Sequence, residues 1–193
     1  LYYRGPLILE GGAPLLNLEG TALNQRHNAD NAMAAVLACR HLGIPAETAA
    51  EVLKEFAPPG HRCETVRTLD GVLWLNDSKA TNLHALEAAL KSQHSPVILI
   101  AGGKDKGLDY VPLQPMLKEK VRACVVFGQI ADQLQHAFSP AVPTEKAADV
   151  EACVAKARSL ARPGDTVLFS PGTSSFDMFT GYVQRGQAFR DAV

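Results

Sequence analysis

Three short, nearly continuous apolar runs, Val97–Ala101, Val121–Phe127 and Thr166–Ser170, do most to limit what this chain can fold into. Runs without polar alternation suit strands covered on both faces, and a parallel sheet flanked by helices provides that cover. Helical patterns at about Asn82–Gln93, Ile130–Ala137, Val150–Ala161 and Phe176–Asp191 separate or follow these runs. In the first of them Leu83, Leu86, Ala89 and Leu90 share one face. Upstream, Thr65–Leu69 and Val72–Asn76 flank Asp70-Gly71, a hairpin-turn signal. Strands alternating with helices imply right-handed βαβ units and an α/β fold with an open, doubly wound, mostly parallel sheet.

That rhythm begins only after Pro58-Pro59-Gly60, which reads as a linker. Residues 1–20 carry short apolar runs broken by Gly5-Pro6, Gly11-Gly12 and Pro14, a pattern of edge strands and turns. Asn28–His41 is an Ala-rich helix with Asn28 as N-cap and Gly43 as its C′ residue, and a second helix follows at about Ala46–Phe56. Residues 1–57 are too few for a complete α/β domain, whereas 61–193 suffice. The chain starts at Leu1 without an initiator Met, so a truncated or processed polypeptide is expected.

A net charge of −1 gives no electrostatic footprint for nucleic acid or an anionic membrane. No stretch approaches the ~20 apolar residues that span a bilayer. Cys39, Cys63, Cys124 and Cys153 form no C-x-x-C pair and read as free thiols in a reducing cytoplasm. The histidines show no metal-ligand spacing, and no metal site is expected in these residues.

Ligands of open parallel sheets bind beyond the carboxyl ends of the strands. The residues that follow the strands here are Asp77-Ser78-Lys79-Ala80-Thr81-Asn82, Gly102-Gly103-Lys104-Asp105-Lys106, Gly128-Gln129 and Pro171-Gly172-Thr173-Ser174-Ser175. Helix capping accounts for Asp77 and Asn82, and for Ser170–Ser175 at the start of the last helix, but leaves Lys79 and Thr81 over. The glycine pair would let the backbone approach a ligand while a lysine pairs a carboxylate or phosphate. Asn31, in the first turn of the Ala-rich helix, can read an adenine edge. Arg62, in His61-Arg62-Cys63-Glu64 after the linker, suits phosphate oxygens. No G-x-x-x-x-G-K-[ST] phosphate loop occurs.

Taken together, His27-Asn28-x-x-Asn31, His61-Arg62-x-Glu64, Asn76–Asn82, Ser170-Pro171, Ser175-Phe176-Asp177 and Arg185-Gly186-x-x-Phe189 resemble the Mur ligases from about Asn17 to Val193. The Asp77–Asn82 loop is similar to that of the member that adds D-glutamate to UDP-N-acetylmuramoyl-L-alanine; the other elements mark the superfamily only.

The resemblance implies a Rossmann-like C-terminal ligase domain at 61–193, preceded at 1–57 by the end of a central ATP-binding domain. It implies ATP-dependent amide-bond formation through an acyl phosphate, in peptidoglycan synthesis, by a cytoplasmic enzyme that is monomeric at full length. Asn31 would contact adenine, Arg62 the ATP phosphates and Asp77 the ribose. Lys79 and Thr81 would lie near the incoming D-glutamate, with Lys79 and Arg62 serving the chemistry. Lys106, which fits the spacing better than Lys104, would pair a substrate carboxylate. Ser175, Phe176 and Tyr182 would complete that pocket, Tyr182 standing where Phe is common. The phosphate loop and Mg2+ ligands are expected before residue 1, so the 193 residues alone should be inactive. The alternatives are a sister Mur or folylpolyglutamate-type amide ligase, and a non-catalytic nucleotide-binding module on the same sheet.

Overall fold

A computed structural model describes residues 1–24 and 26–193, the side chains of Arg26 and His27 excepted. The chain divides into two compact units, Leu1–Pro59 and Gly60–Val193, at the proline-rich linker.

In the first unit β1 (Tyr2–Arg4), β2 (Leu7–Glu10) and β3 (Ala13–Asn17) form an antiparallel meander. Helices α1 (Arg26–His41) and α2 (Ala46–Glu55) accompany it. Ile8, Leu16, Leu18, Leu23, Ala29 and Ala32 are buried together as its core. Gly43 ends α1 with φ 79°, donating to the Arg40 carbonyl at 2.9 Å while Ile44 N donates to Cys39 O at 2.9 Å. This pair of bonds satisfies the last carbonyls of the helix, as expected of a C′ glycine. Asn28 is not the N-cap, because α1 already begins at Arg26; Asn28 lies buried within its first turn. The His27 side chain falls outside the described residues.

The second unit opens with a hairpin of β4 (Glu64–Leu69) and β5 (Val72–Asn76). Asp70 and Gly71 turn it with φ 52° and 76°, the double left-handed geometry that a two-residue hairpin turn requires. Strands β6 (Val97–Gly102), β7 (Val121–Phe127), β8 (Thr144–Lys146) and β9 (Thr166–Phe169) complete a six-stranded sheet in the order β4-β5-β9-β6-β7-β8. Every neighbouring pair except β4–β5 is parallel.

Helices α3 (Leu83–Lys91), α4 (Gln114–Lys120) and α5 (Ala131–Phe138) cover one face, while α6 (Val150–Leu160) and α7 (Tyr182–Ala192) cover the other. Successive residues of β6 alternate between the two cores: Val97, Leu99 and Ala101 point to one, Ile98 and Ile100 to the other. That two-sided burial is the physical origin of the continuous apolar runs.

Three elements differ from the sequence expectation. The last helix begins at Tyr182 rather than Phe176, after a single turn in which Ser175 O accepts from Met178 N and Phe179 N at 3.2 and 2.9 Å. Gly181 breaks the helix there, so Ser170–Ser175 cannot cap α7. Helix α4 and strand β8 were not anticipated: the first is only seven residues long, and the second is a three-residue edge without an apolar run. Cys63, Cys124 and Cys153 are buried and free, and Cys39 is free and half-buried. Among the described residues no helix is long and apolar enough to cross a membrane.

Candidate ligand site at the carboxyl end of the sheet

The end of β5 is held in place by its own backbone. Asp77 N donates to Phe169 O at 2.8 Å, extending the β5–β9 ladder, and Ala80 N donates to Asp77 O at 2.9 Å to close a turn. Asn82 then caps α3, its side chain accepting from Ala85 N at 2.9 Å. Asp77 does no capping. Its carboxylate accepts from Cys63 N at 3.2 Å and from Ser170 Oγ at 2.7 Å. Burial outweighs these bonds and the nearby charge of Arg62, and raises the Asp77 carboxyl to about 6.

Beyond this loop lies a cavity of about 330 Å³ lined by Arg62, Asp77, Lys79, Thr81 and Tyr182 among others. Arg62 reaches it from a segment in which His61 and Cys63 both take left-handed backbone angles, φ 66° and 43°. Non-glycine residues adopt this region only where the surroundings enforce it. Here Lys79 N donates to His61 O at 3.0 Å, and Asp77 holds Cys63 N. Lys106 joins from the loop after β6, its Nζ donating to Thr81 O at 3.3 Å. Arg62 and Lys79 line the cavity with the buried Asp77 carboxylate, and Lys106 is tied to its Thr81 wall, an arrangement of cations suited to anionic groups.

The structure therefore brings together Arg62, Asp77, Lys79, Thr81, Lys106 and Tyr182. Phe176 lines a different cavity, of about 610 Å³, with Lys104, Gln129 and Asp177. Ser175 is buried, and Asn31 is exposed on α1 in the first unit. The two glycines also serve another purpose than expected. A Cβ on Gly102 would stand 2.0 Å from Phe127 O, and one on Gly103 would stand 2.3 Å from Ser174 O. They let neighbouring backbones approach one another, not only a ligand.

The residues that the sequence named only within motifs, without a role, sit on and under α7. Arg185 is fully buried. Its guanidinium donates to Ser78 O at 2.8 Å, Ser78 Oγ at 3.1 Å, Thr173 O at 3.1 Å and Gly102 O at 3.5 Å. One side chain thus ties three strand-end loops together. Burial lowers it to about 10, still a cation at neutral pH. Asn76 Nδ2 bridges His61 Nδ1 at 2.9 Å and Gly186 O at 3.2 Å. A Cβ on Gly186 would meet His61 Nδ1 at 2.2 Å, which explains a glycine within a helix. The available signal was spacing: Arg185 lies four residues before buried Phe189, on the same helical face.

Comparison with known proteins identifies the family. Residues 61–172 match the family described as Mur ligase, glutamate ligase domain. The chain is 48% identical over 165 residues to the UDP-N-acetylmuramoylalanine–D-glutamate ligase of Chlorobium phaeobacteroides, covering 86% of this chain and 36% of that protein. It is 43% identical over 183 residues to the ligase of the same name from Symbiobacterium thermophilum, covering 93% of this chain and 40% of that one. The chain therefore spans about two fifths of the length of these curated relatives. Among solved structures, MurF from Acinetobacter baumannii superposes with a TM-score of 0.64 at 17% identity, over 86% of this chain and 38% of that one. Folylpolyglutamate synthase from Mycobacterium tuberculosis superposes with a TM-score of 0.68 at 14% identity, over 94% and 43%. These structures share the fold. With the family model matching more than half of its residues, the chain belongs to the Mur ligase family.

Proposed function

We propose that this chain is the C-terminal portion of a ligase that adds D-glutamate to UDP-N-acetylmuramoyl-L-alanine during peptidoglycan synthesis. The observation that carries the reading is the cavity lined by Arg62, Asp77, Lys79 and Thr81, with Lys106 bonded to Thr81 O, in a chain 41–48% identical to relatives named for that reaction. Residues 1–57 are read as the end of a central ATP-binding domain. Exposed Leu37 on α1, Val52 on α2 and Phe56 just after α2 support that reading, since apolar helix faces are normally covered.

The reaction transfers the terminal phosphoryl group of ATP to the substrate carboxylate. The amine of D-glutamate then attacks the acyl carbon, the amide bond forms, and inorganic phosphate leaves with the former carboxylate oxygen. Such chemistry depends on positioning and charge stabilisation rather than on a protein nucleophile. Arg62 is assigned to the phosphates and Asp77 to the ribose. Asp77 fits a sugar hydroxyl because its buried carboxylate lines the cavity and retains acceptor capacity beyond its two bonds. Lys79 and Thr81 receive the incoming D-glutamate, and Lys106 pairs one of its carboxylates. Tyr182 is assigned to the pocket wall beside Lys79; Ser175 and Phe176 are assigned to the same pocket by the family resemblance, although Phe176 lines another cavity and Ser175 is buried here. Among the described residues no three His, Cys, Asp or Glu side chains could hold a metal ion. By the family resemblance, Mg2+ is assigned to the portion of the ligase outside this chain, and the reaction to the cytoplasm.

Two experiments test the reading. Lys79→Ala and Lys106→Ala in the full-length protein are each expected to lower kcat/KM for D-glutamate at least tenfold; unchanged activity in both would favour a non-catalytic module. The 193 residues alone, lacking a phosphate loop, are expected to release no phosphate from ATP in the presence of D-glutamate. Release by the isolated chain would overturn the division of labour.

A further inference from the structure

The Lys79 ammonium forms no ion pair among the described residues. The nearest carboxylate in its loop, Asp77, is already engaged by Cys63 N and Ser170 Oγ. Instead Lys79 Nζ stands 5.4 Å from the centroid of the Tyr182 ring. The ring is itself fixed. It meets the His61 ring edge-to-face, with centroids 6.0 Å apart and planes at 80°, and Ser78 Oγ donates to Tyr182 O at 2.8 Å. His61 is held in turn by Asn76 Nδ2 and by the lack of a Cβ on Gly186.

We propose that Tyr182 is a positioning residue: its ring, braced by His61, holds the Lys79 ammonium at the cavity in readiness for an anionic group of the substrate. An aromatic face suits this task for a physical reason. It attracts the cation enough to select one rotamer of a long side chain, yet too weakly to compete with a carboxylate. A protein carboxylate in the same place would neutralise the lysine before substrate arrived. The ring, not the phenolic hydroxyl, supplies the contact, so the Tyr that stands here is equivalent to Phe for this purpose.

The inference rests on the reading that Lys79 receives the incoming amino acid, and the test separates the two. In the full-length ligase, steady-state kinetics with D-glutamate as varied substrate are compared for Tyr182→Leu, Tyr182→Phe, Lys79→Ala and the Lys79→Ala/Tyr182→Leu double variant. Tyr182→Leu is expected to raise KM for D-glutamate about three- to tenfold, the worth of one cation–π contact, with kcat changed less than about twofold. Tyr182→Phe should recover most of that loss, and the double variant should be no worse than Lys79→Ala. A KM effect of Tyr182→Leu that persists in full on the Lys79→Ala background would overturn the positioning role, as would a Tyr182→Phe variant no better than Tyr182→Leu. If Lys79→Ala leaves KM for D-glutamate unchanged, the assignment of Lys79 itself fails, and the inference falls with it.

Discussion

Arg185 donates to both the carbonyl and the hydroxyl oxygen of Ser78, at 2.8 and 3.1 Å, across 107 residues of sequence. The same guanidinium bonds the Thr173 and Gly102 carbonyls. The loop that presents Lys79 is therefore fastened to the ends of β9 and β6 by one buried cation from the last helix.

Arg185→Met should expose the cost of losing that fastening. It retains an unbranched side chain but leaves three buried carbonyl groups without their donor. Each unsatisfied buried acceptor costs about 1–3 kcal/mol, partly relieved by relaxation and water. A total loss of roughly 2–4 kcal/mol is expected, read as a lower denaturant midpoint of the chain. A midpoint within error of the parent would mean that the loops hold themselves.

Gly186→Ala should run against helix propensity. Alanine in a helix interior normally stabilises by up to ~1 kcal/mol over glycine. Here the new Cβ would stand 2.2 Å from His61 Nδ1, forcing the imidazole off Asn76. A destabilisation of about 1–3 kcal/mol is expected instead, and thermal melting gives the sign directly. A higher Tm would contradict the packing described.

Asp77 makes stability depend on pH in an unusual direction. Its carboxyl is raised from 3.8 to about 6 by burial. Between those values the folded chain holds a proton that the unfolded chain has released, so stability falls as pH rises from about 4 to 6. A shift of this size corresponds to a few kcal/mol. The stability of the parent relative to Asp77→Asn is therefore expected to be greater at pH 5 than at pH 7.5. Parallel profiles for the two proteins across that range would show that Asp77 titrates normally.

The sheet was readable in the sequence because burial leaves its mark on composition. Val72–Asn76 and Val121–Phe127 are strands over the residues read, and Asp70-Gly71 turns the hairpin as expected. Strand β8 was not readable, since a three-residue edge strand paired on one side needs no apolar run. The loops that carry Lys79, Thr81 and Lys106 were legible because sheet topology collects strand ends at one edge. The role of Arg185 was not, although its motif was, because most of its partners are backbone carbonyls, which have no sequence signature. Nor was the start of α7, where the turn after Ser175 gives way to Gly181 instead of continuing as helix.

The most direct test of the proposed function is amino-acid exchange. Phosphate release by the full-length ligase is followed with ATP and UDP-N-acetylmuramoyl-L-alanine while the amino acid is varied among D-glutamate, L-glutamate, L-alanine and meso-diaminopimelate. Turnover with D-glutamate, at a kcat/KM at least a hundredfold above the others, is predicted. Efficient turnover with another amino acid, and none with D-glutamate, would contradict it.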